Sequence, residues 1–373
     1  MERAFSLYSD RFYVYFRQVL MNLWLRVFAA VLLTSTAVGC KRDQTASAGA
    51  PPTQVRLGYF ANLTHAQAVL GVSSGEFASA VAPANLKTQV FNAGPSLIEA
   101  LLAGEIDVAY VGPGPALNAQ SVTHGQGIRV VAGAAANGVV IVAREGSNIK
   151  SLEDLKGRKL ATPQQGNTQD IAARHYLQAV LKQPNLQNVL PVTNAEQVGL
   201  MTRGEIDASW APEPWGSLLI SQAKANLVAE EKDLWPEKQM AITVVVTTPD
   251  FLAKHPDVLE KILQVHRQWT QRLNDDPAKY DPQLDQALFG LTNKRLPKGT
   301  LSSALGRVKF TDDPGETTFR TLAQWSYDLG FAKQKPDLTG LFDTTILRKL
   351  QQQGASAPSS RESGNVGSGA ATK

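Results

Sequence analysis

Residues 104–118 read GEIDVAYVGPGPALN, and residues 204–214 read GEIDASWAPEP. In each copy an apolar pattern of helical spacing comes first and ends at a glycine, Gly104 or Gly204, where a helix end favours a left-handed residue. A short apolar strand follows, and Pro and Gly interrupt the chain at its far end. The same helix–turn–strand–loop unit is therefore predicted twice. A chance match is the alternative, but the shared GEID and its similar surroundings favour a true repeat.

Both predicted loops leave the carboxyl end of a strand, which is the edge where open α/β sheets bind ligands. Two such units predict two lobes whose loops face each other across a cleft. Strands alternate with helices from Val55 onward, so we predict an α/β protein with mostly parallel sheets. The length of this part of the chain also suits two lobes better than one core.

The amino-terminal segment has the pattern of an export signal. A basic residue, Arg26, precedes the apolar run Val27–Val38, and Gly39 and Cys40 follow. The run is too short for a membrane-spanning helix. We therefore predict a signal peptide over residues 1–39, with translation starting at Met21 because residues 1–20 are long and polar for such a segment. Cys40 is the only cysteine, which excludes an intramolecular disulfide.

The composition narrows the classes of function. The chain is 43% hydrophobic and 19% charged, which is typical of a globular protein. Its net charge is +4, but Lys and Arg are scattered without a basic stripe, so we expect no nucleic-acid partner. The five histidines form no pair with a nucleophile and no metal-ligand spacing. Together with the absence of nucleotide-binding motifs, this predicts a protein that is not an enzyme and needs no metal or cofactor.

Three predicted helix starts follow strands, at Thr64, Ser96 and Asn167, and each has the residue spacing of a helix cap. A helix start offers unpaired backbone amides and the positive end of the helix dipole. Several starts directed at one cleft predict a site for a small oxyanion. The alternative is that each residue only caps its own helix.

Two carboxylates complicate an anion site. Asp170 would compete with an anion for the amides of its own helix start, unless the ligand lies near Gly166 and Thr168 or also carries a cation. Glu213, in a Pro-rich loop, would suit an amine, and the alternative is a surface carboxylate. Four aromatic residues either enclose an organic tail or belong to the lobe cores: Tyr59, Phe60, Trp210 and Trp215.

The two GEID units, together with the stretches 58–60, 64–68 and 161–170, resemble the solute-binding proteins of ABC importers of the nitrate, sulfonate and taurine type. The resemblance covers about Val55 to Leu350. It implies a bilobal type II periplasmic-binding-protein fold whose lobes are joined by a hinge of two crossings, near Asn137–Val139 and Ile242–Thr243. The stretch before Cys40 resembles a lipobox, although Ala37 stands where that motif usually has Leu.

These features give the expected organisation of the chain. Lobe one comprises 55–138 and 244–350, lobe two comprises 139–243, residues 40–54 form the tether of the lipid anchor, and 351–373 form a disordered tail. Residues 112–115 are expected to line the cleft as a loop of backbone. The predicted ligand-binding residues are Tyr59, Asn62, Thr64, His65, Ser96, Gly112, Pro113, Gly114, Asn137, Gly166, Asn167, Thr168, Gln169, Trp210 and Glu213.

The resemblance implies a monomeric receptor, exported and held by a lipid on Cys40 at the outer, periplasmic face of the cytoplasmic membrane. It would capture an aliphatic sulfonate, taurine, nitrate or a similar anion and deliver it to an ABC permease and its ATPase. Two alternatives are a pyrimidine-synthase-like enzyme of the same fold, whose cysteine-rich motif is missing here, and a ligand-sensing module for a membrane partner. The identity of the ligand stays open.

Overall fold

The computed structural model describes residues 51–355, without the side chains of 354 and 355. The predicted signal peptide, the start at Met21, Cys40 and most of the tether and tail lie outside these residues. Strands in the described range are β1 (Gln54–Phe60), β2 (Asn85–Phe91), β3 (Val108–Val111), β4 (Arg129–Asn137), β5 (Val139–Ala143), β6 (Leu160–Thr162), β7 (Val189–Pro191), β8 (Ala208–Pro212), β9 (Asn226–Glu230), β10 (Ala241–Thr247) and β11 (Val308–Phe310).

The α-helices connect or follow these strands. They are α1 (Ala66–Ser73), α2 (Glu76–Val81), α3 (Gly94–Leu102), α4 (Pro113–Val122), α5 (Thr168–His175), α6 (Asn194–Thr202), α7 (Trp215–Gln222), α8 (Pro249–Lys254), α9 (Pro256–Asp275), α10 (Asp281–Thr292), α11 (Thr300–Leu305), α12 (Glu316–Asp328) and α13 (Thr345–Ala355). Short 3₁₀ turns lie at Leu63–His65, Glu153–Leu155, Glu231–Leu234, Pro236–Lys238 and Pro277–Tyr280, and a π turn at Tyr176–Val180.

The strands form two sheets of matching design. The first has the order β11-β4-β10-β3-β1-β2, and the second has the order β7-β6-β8-β5-β9. In the first, β1 pairs in parallel with β2 and β3, while β10 runs antiparallel to β3 and β4. In the second, β6 and β5 hold the same two places and make the same kinds of pairing. The α/β class is as predicted, but the sheets are mixed rather than mostly parallel because a returning antiparallel strand enters each.

The repeated GEID has the same structural role in both sheets. Gly104 and Gly204 have φ of 74° and 73°, the left-handed conformation expected after α3 and α6. The next aspartates, Asp107 and Asp207, lead into β3 and β8 and form ion pairs with arginines of their own lobe. The repeat therefore places β3 and β8 in equivalent positions, each between one parallel and one antiparallel neighbour.

The chain passes between the sheets twice. It leaves the first sheet after Asn137 and enters the second at Val139, as the sequence suggested. It returns between Glu230 and Ala241, before the predicted point at Ile242–Thr243, because β10 pairs along its whole length within the first sheet. Asn137 adopts a left-handed φ of 63°, and its Oδ1 accepts a 3.1 Å hydrogen bond from the Met240 amide. The two crossings are thereby held side by side.

The carboxyl-terminal helices pack on these sheets. The strands β3, β5, β8 and β10 are buried at every residue, which explains why their sequences are mostly apolar and contain no charged residue. Helix α13 continues to Ala355, beyond the expected tail boundary at residue 351, because Leu347 and Leu350 are buried against the first lobe. Between residues 51 and 355, none of the helices has the length and hydropathy needed to cross a membrane.

Candidate functional site

A cleft lies where the carboxyl ends of β1, β2 and β3 face those of β6, β7 and β8. Its volume is about 30 Å³, room for a group of only a few heavy atoms. This is the edge of each sheet at which a ligand site is expected. The lining residues are Phe60, Asn62, Thr64, His65, Asn92, Ala93, Gly94, Gly112, Pro115, Pro163, Asn167, Thr168, Gln169, Asn194, Pro212 and Ile242.

Seven residues predicted from the sequence meet in this cleft: Asn62, Thr64, His65, Gly112, Asn167, Thr168 and Gln169. Asn92 and Asn194 line it too and were missed. Asn92 directly follows β2, and Asn194 begins the helix after β7. The rule that ligands bind beyond the carboxyl ends of parallel strands, applied to these two strands as well, would have found both residues.

Asn62 and His65 are held in defined orientations on the lobe-one side. The Asn62 side chain accepts a 2.7 Å hydrogen bond at Oδ1 from Trp215 Nε1, which belongs to lobe two. Its amide NH₂ is therefore the group left for a ligand. His65 Nδ1 accepts from the Phe60 amide at 3.3 Å, which leaves the ring proton on Nε2. Both side chains can act as neutral hydrogen-bond donors.

Burial keeps His65 neutral. The imidazole is 2% exposed, and desolvation of its charged form lowers its pKa to about 3. In the unfolded chain the His65 imidazole would bind a proton below about pH 6.5, whereas in the folded chain it stays neutral down to about pH 3. Its contribution to the free energy of unfolding is therefore fully present above pH 6.5 and is lost as the pH falls toward 3.

The pH dependence of stability should therefore change when His65 is replaced by Gln. Between pH 7 and pH 5 the wild type should lose about 2 kcal/mol of unfolding free energy relative to His65→Gln, because its unfolded state gains a proton that the folded state refuses. Urea unfolding of both proteins at the two pH values measures this difference, and the titration of all other groups cancels. Parallel pH profiles for the two proteins would contradict a buried neutral His65.

On the lobe-two side the start of α5 faces the cleft. Asn167 caps the helix as predicted, since its Oδ1 accepts from the Asp170 amide at 2.8 Å. The first amide that donates within the helix is that of Ile171, to the Asn167 carbonyl, so the earlier amides of Thr168 and Gln169 are available to a ligand. The Asp170 carboxylate turns away from the cleft to accept from Thr162 Oγ1, the Gly166 amide and Arg174 Nε. It does not compete for the helix start.

The start of α4 makes a contact between the lobes. The Gly114 amide donates to Thr168 Oγ1 at 3.1 Å. Residues 113–115 are the first turn of a helix rather than a loop, because Pro113 is suited to the first helical position. Pro113 and Pro115 have no amide proton, and that of Gly114 is already used. Residues 113–115 therefore have no unpaired amide proton with which to bind an anion. Pro113 does not line the cleft.

Two of the expected caps are wrong. Thr64 lies inside the 3₁₀ turn Leu63–His65, and α1 begins two residues later without a side-chain cap. Ser96 lies within the first turn of α3, because Gly94-Pro95 starts the helix earlier, and its hydroxyl donates to the Ala93 carbonyl. Thr64 lines the cleft nonetheless, whereas Ser96 does not.

The remaining predicted residues lie elsewhere. Tyr59 is in the core of lobe one, since alternation along β1 turns Phe60 rather than Tyr59 to the cleft. Trp210 is fully buried and donates to Glu231 Oε2 at 2.6 Å. Asn137 bonds the Met240 amide between the crossings, and Gly166 lines a neighbouring cavity.

Glu213 is neither a ligand for an amine nor a surface carboxylate. It is completely buried and accepts from the Ser217 amide at 3.0 Å, from Ser217 Oγ at 2.9 Å and from Arg307 Nη1 at 3.0 Å. Burial raises its pKa, and the hydrogen bonds from Ser217 and the charge of Arg307 oppose that shift. The Pro-rich loop is therefore an anchoring point between chain segments.

The cleft itself carries no formal charge. Of the side chains that line it within the described range, none is Lys, Arg, Asp or Glu, and His65 is neutral. Asn194 is 6% exposed, and its Oδ1 has no hydrogen-bond partner, so this oxygen is free to accept a hydrogen bond. Residues 51–355 also contain no group of three or more His, Cys, Asp and Glu side chains able to hold a metal ion.

Comparisons with known proteins agree with this architecture. A binding protein of Brucella abortus is 28% identical over 186 residues, 48% of this chain and 54% of its own. The taurine-binding periplasmic protein of Escherichia coli is 26% identical over 175 residues, 46% of this chain and 52% of its own. The chain thus matches about half the length of these relatives.

Solved structures show the same fold. The alkanesulfonate-binding protein of Xanthomonas axonopodis, solved with bound MOPS, superposes with a TM-score of 0.66 at 19% identity, over 79% of this chain and 99% of its own. The nitrate-binding protein of Synechocystis gives 0.69 at 16% identity, over 82% and 90%. These similarities confirm the periplasmic-binding-protein fold. The model of the NMT1-like family matches residues 48–282, and the chain belongs to that family.

Proposed function

We propose that this protein is an extracytoplasmic solute-binding protein that captures an oxyanion in the cleft and delivers it to an ABC importer. The observation that carries the proposal is an uncharged, buried cleft to which the start of α5 in lobe two and neutral side-chain donors of lobe one converge. The unused amides of Thr168 and Gln169, the amide of Asn62 and Nε2 of His65 are all donors. Such a set suits an anion that needs several hydrogen bonds and no counter-ion.

The relatives support the same class of ligand. Their names describe proteins that bind taurine, alkanesulfonates or nitrate, which share a compact group of oxygens around one central atom. A group of that size matches the small cleft. Binding is proposed to close the two lobes about the crossings at residues 137–139 and 231–240, because donors from both lobes reach the ligand only in the closed form.

Calorimetric titration with methanesulfonate and nitrate tests the proposal. We expect saturable binding of at least one of these anions and no binding of dimethyl sulfone, a neutral molecule of similar shape to methanesulfonate. The pair separates recognition of negative charge from recognition of shape. Equal affinity for both, or binding of neither anion, would exclude an oxyanion site.

The proposed location is the periplasmic side of the cytoplasmic membrane, with Cys40 carrying the lipid. Replacing Cys40 with Ser should move the protein from the membrane fraction to the soluble fraction, because the acylated thiol would anchor it to the membrane. Cell fractionation followed by immunoblotting measures this. A wild-type protein that is already soluble would contradict the lipid anchor without affecting the binding proposal.

A further inference from the structure

A second cavity of about 330 Å³ adjoins the cleft. Lobe one contributes Leu117 and Ser121 of α4, lobe two contributes Ile171 of α5, and the carboxyl-terminal segment contributes Phe331 and Ala332. We call it the chamber. Its volume is within the range of sites for small organic ligands. All three parts of the fold therefore line it.

The chamber and the cleft lie next to each other. Pro115 lines both. The hydrogen bond between the Gly114 amide and Thr168 Oγ1 joins the lobes at the same place, and Gly114 also lines the chamber. A ligand group that extends from the cleft past Pro115 would reach the chamber.

The chamber offers no counter-ion to a charged group, and its polar side chains are the neutral Asn118, Ser121, Gln165 and Ser326. Every side chain that lines it in the described part of the chain is uncharged. The two carboxylates that the sequence suggested for an amine, Asp170 and Glu213, are buried in pairs with Arg174 and Arg307. An ammonium group in the chamber would lose its hydration without gaining a counter-ion, which is costly. A hydrocarbon group would instead gain from burial.

We propose that the chamber binds the uncharged apolar tail of an organic oxyanion whose head occupies the cleft. This inference rests on the proposed function and narrows it to organic anions without a cationic group, in contrast to taurine and nitrate. The wall formed by Phe331 and Ala332 lies outside residues 48–282, the part matched by the family model. Selectivity for the tail would therefore depend in part on the carboxyl-terminal segment.

The chain on either side of that wall contacts both lobes. Gln120, on α4, donates from Nε2 to the carbonyls of Asp337 and Thr339 at 3.0 and 3.2 Å. On the lobe-two side, His175 stacks on Trp325 of α12 with ring centroids 4.1 Å apart. A wall attached in this way to both lobes can exclude water from a bound tail.

Two series of titrations test the inference. Along methane-, propane- and hexanesulfonate, the dissociation constant should fall about fourfold for each methylene that enters the chamber, which corresponds to about 0.8 kcal/mol. Propanesulfonate should bind roughly tenfold or more tightly than taurine, which has the same number of heavy atoms but carries an ammonium group.

The variant Ser121→Phe fills the chamber, and Val122→Phe is its matched control, since Val122 is the next residue and is 60% exposed. Ser121→Phe should abolish the gain along the series while keeping methanesulfonate binding, which also shows that it is folded. Ala332→Leu, on the opposite wall, should reduce the gain in the same selective way. Val122→Phe should behave like the wild type.

The outcomes are distinguishable. Binding of methanesulfonate with no gain along the series, or an equal loss in Ser121→Phe and Val122→Phe, overturns the tail site and leaves the proposed function standing. If taurine binds as tightly as propanesulfonate, the tail site is also overturned and the proposed function stands. Absence of binding to every anion overturns the proposed function and the tail site together.

Discussion

Replacing Gly112 with Ala should weaken ligand binding by roughly 5- to 150-fold while leaving the free protein as stable as the wild type. A Cβ at this position would lie 2.5 Å from Oγ1 of Thr168, which belongs to the other lobe. Residue 112 has φ of −74° and ψ of 154°, so alanine adopts its backbone without strain. With the proposed closure of the lobes, the clash would arise only in the closed form, and overpacking of this kind costs about 1–3 kcal/mol.

A control and a double variant isolate this effect. A Cβ at Gly71 would lie 2.4 Å from Phe77, a similar clash confined to lobe one. Gly71→Ala should therefore lower the melting temperature and leave affinity unchanged. Thr168→Ala removes the clashing oxygen, so Gly112→Ala should cost far less affinity in that background than in the wild type, a coupling that a double-mutant cycle measures.

The opposite pattern would reveal a rigid protein. If Gly112→Ala lowers the melting temperature of the ligand-free protein as Gly71→Ala does, and affinity does not change, the lobes are already in contact without ligand. Small-angle scattering provides an independent reading, since closure should reduce the radius of gyration on binding. An unchanged radius would contradict the proposed hinge.

The fold was predictable where the sequence carries local signals. GEID occurs twice because β3 and β8 hold equivalent positions in two sheets of the same order. Their glycines need a positive φ, and that requirement is visible in sequence. The return crossing was placed too late because β10 is buried and largely β-branched along its whole length. Such a run shows that a strand is buried, but not in which sheet.

The candidate site was predictable as a set of loops, but not residue by residue. Asn62, His65 and Thr168 follow strands whose carboxyl ends could be located. Which neighbour faces the cleft depends on strand orientation, and for that reason Phe60 lines it and Tyr59 does not. The burial of the Glu213 carboxylate depends on its ion pair with Arg307, which is 94 residues further along the chain. No local sequence pattern indicates a contact between residues so far apart in the chain.

Replacing Arg307 with Met should lower the free energy of unfolding by about 3–5 kcal/mol, because it leaves the buried Glu213 carboxylate without a cation. The Glu213 side chain is 0% exposed and that of Arg307 is 16% exposed, with 3.0 Å between Oε1 and Nη1. The loss should be greatest at high pH. With Arg307 absent the pKa of Glu213 rises further above its unfolded value, so stability is retained at low pH and lost as the pH rises through the folded pKa.

Urea unfolding at pH 7 and pH 5 measures both the size and the pH dependence of this loss. Arg203→Met is the matched control, since the Arg203–Glu205 pair is 60% and 53% exposed and should contribute no more than about 1 kcal/mol. Adding Glu213→Gln to Arg307→Met should recover much of the stability, because it removes the unpaired charge while keeping an acceptor for the Ser217 amide. If Arg307→Met costs no more than Arg203→Met, the Glu213 carboxylate is stabilised by Ser217 alone, and Arg307 does not anchor the loop.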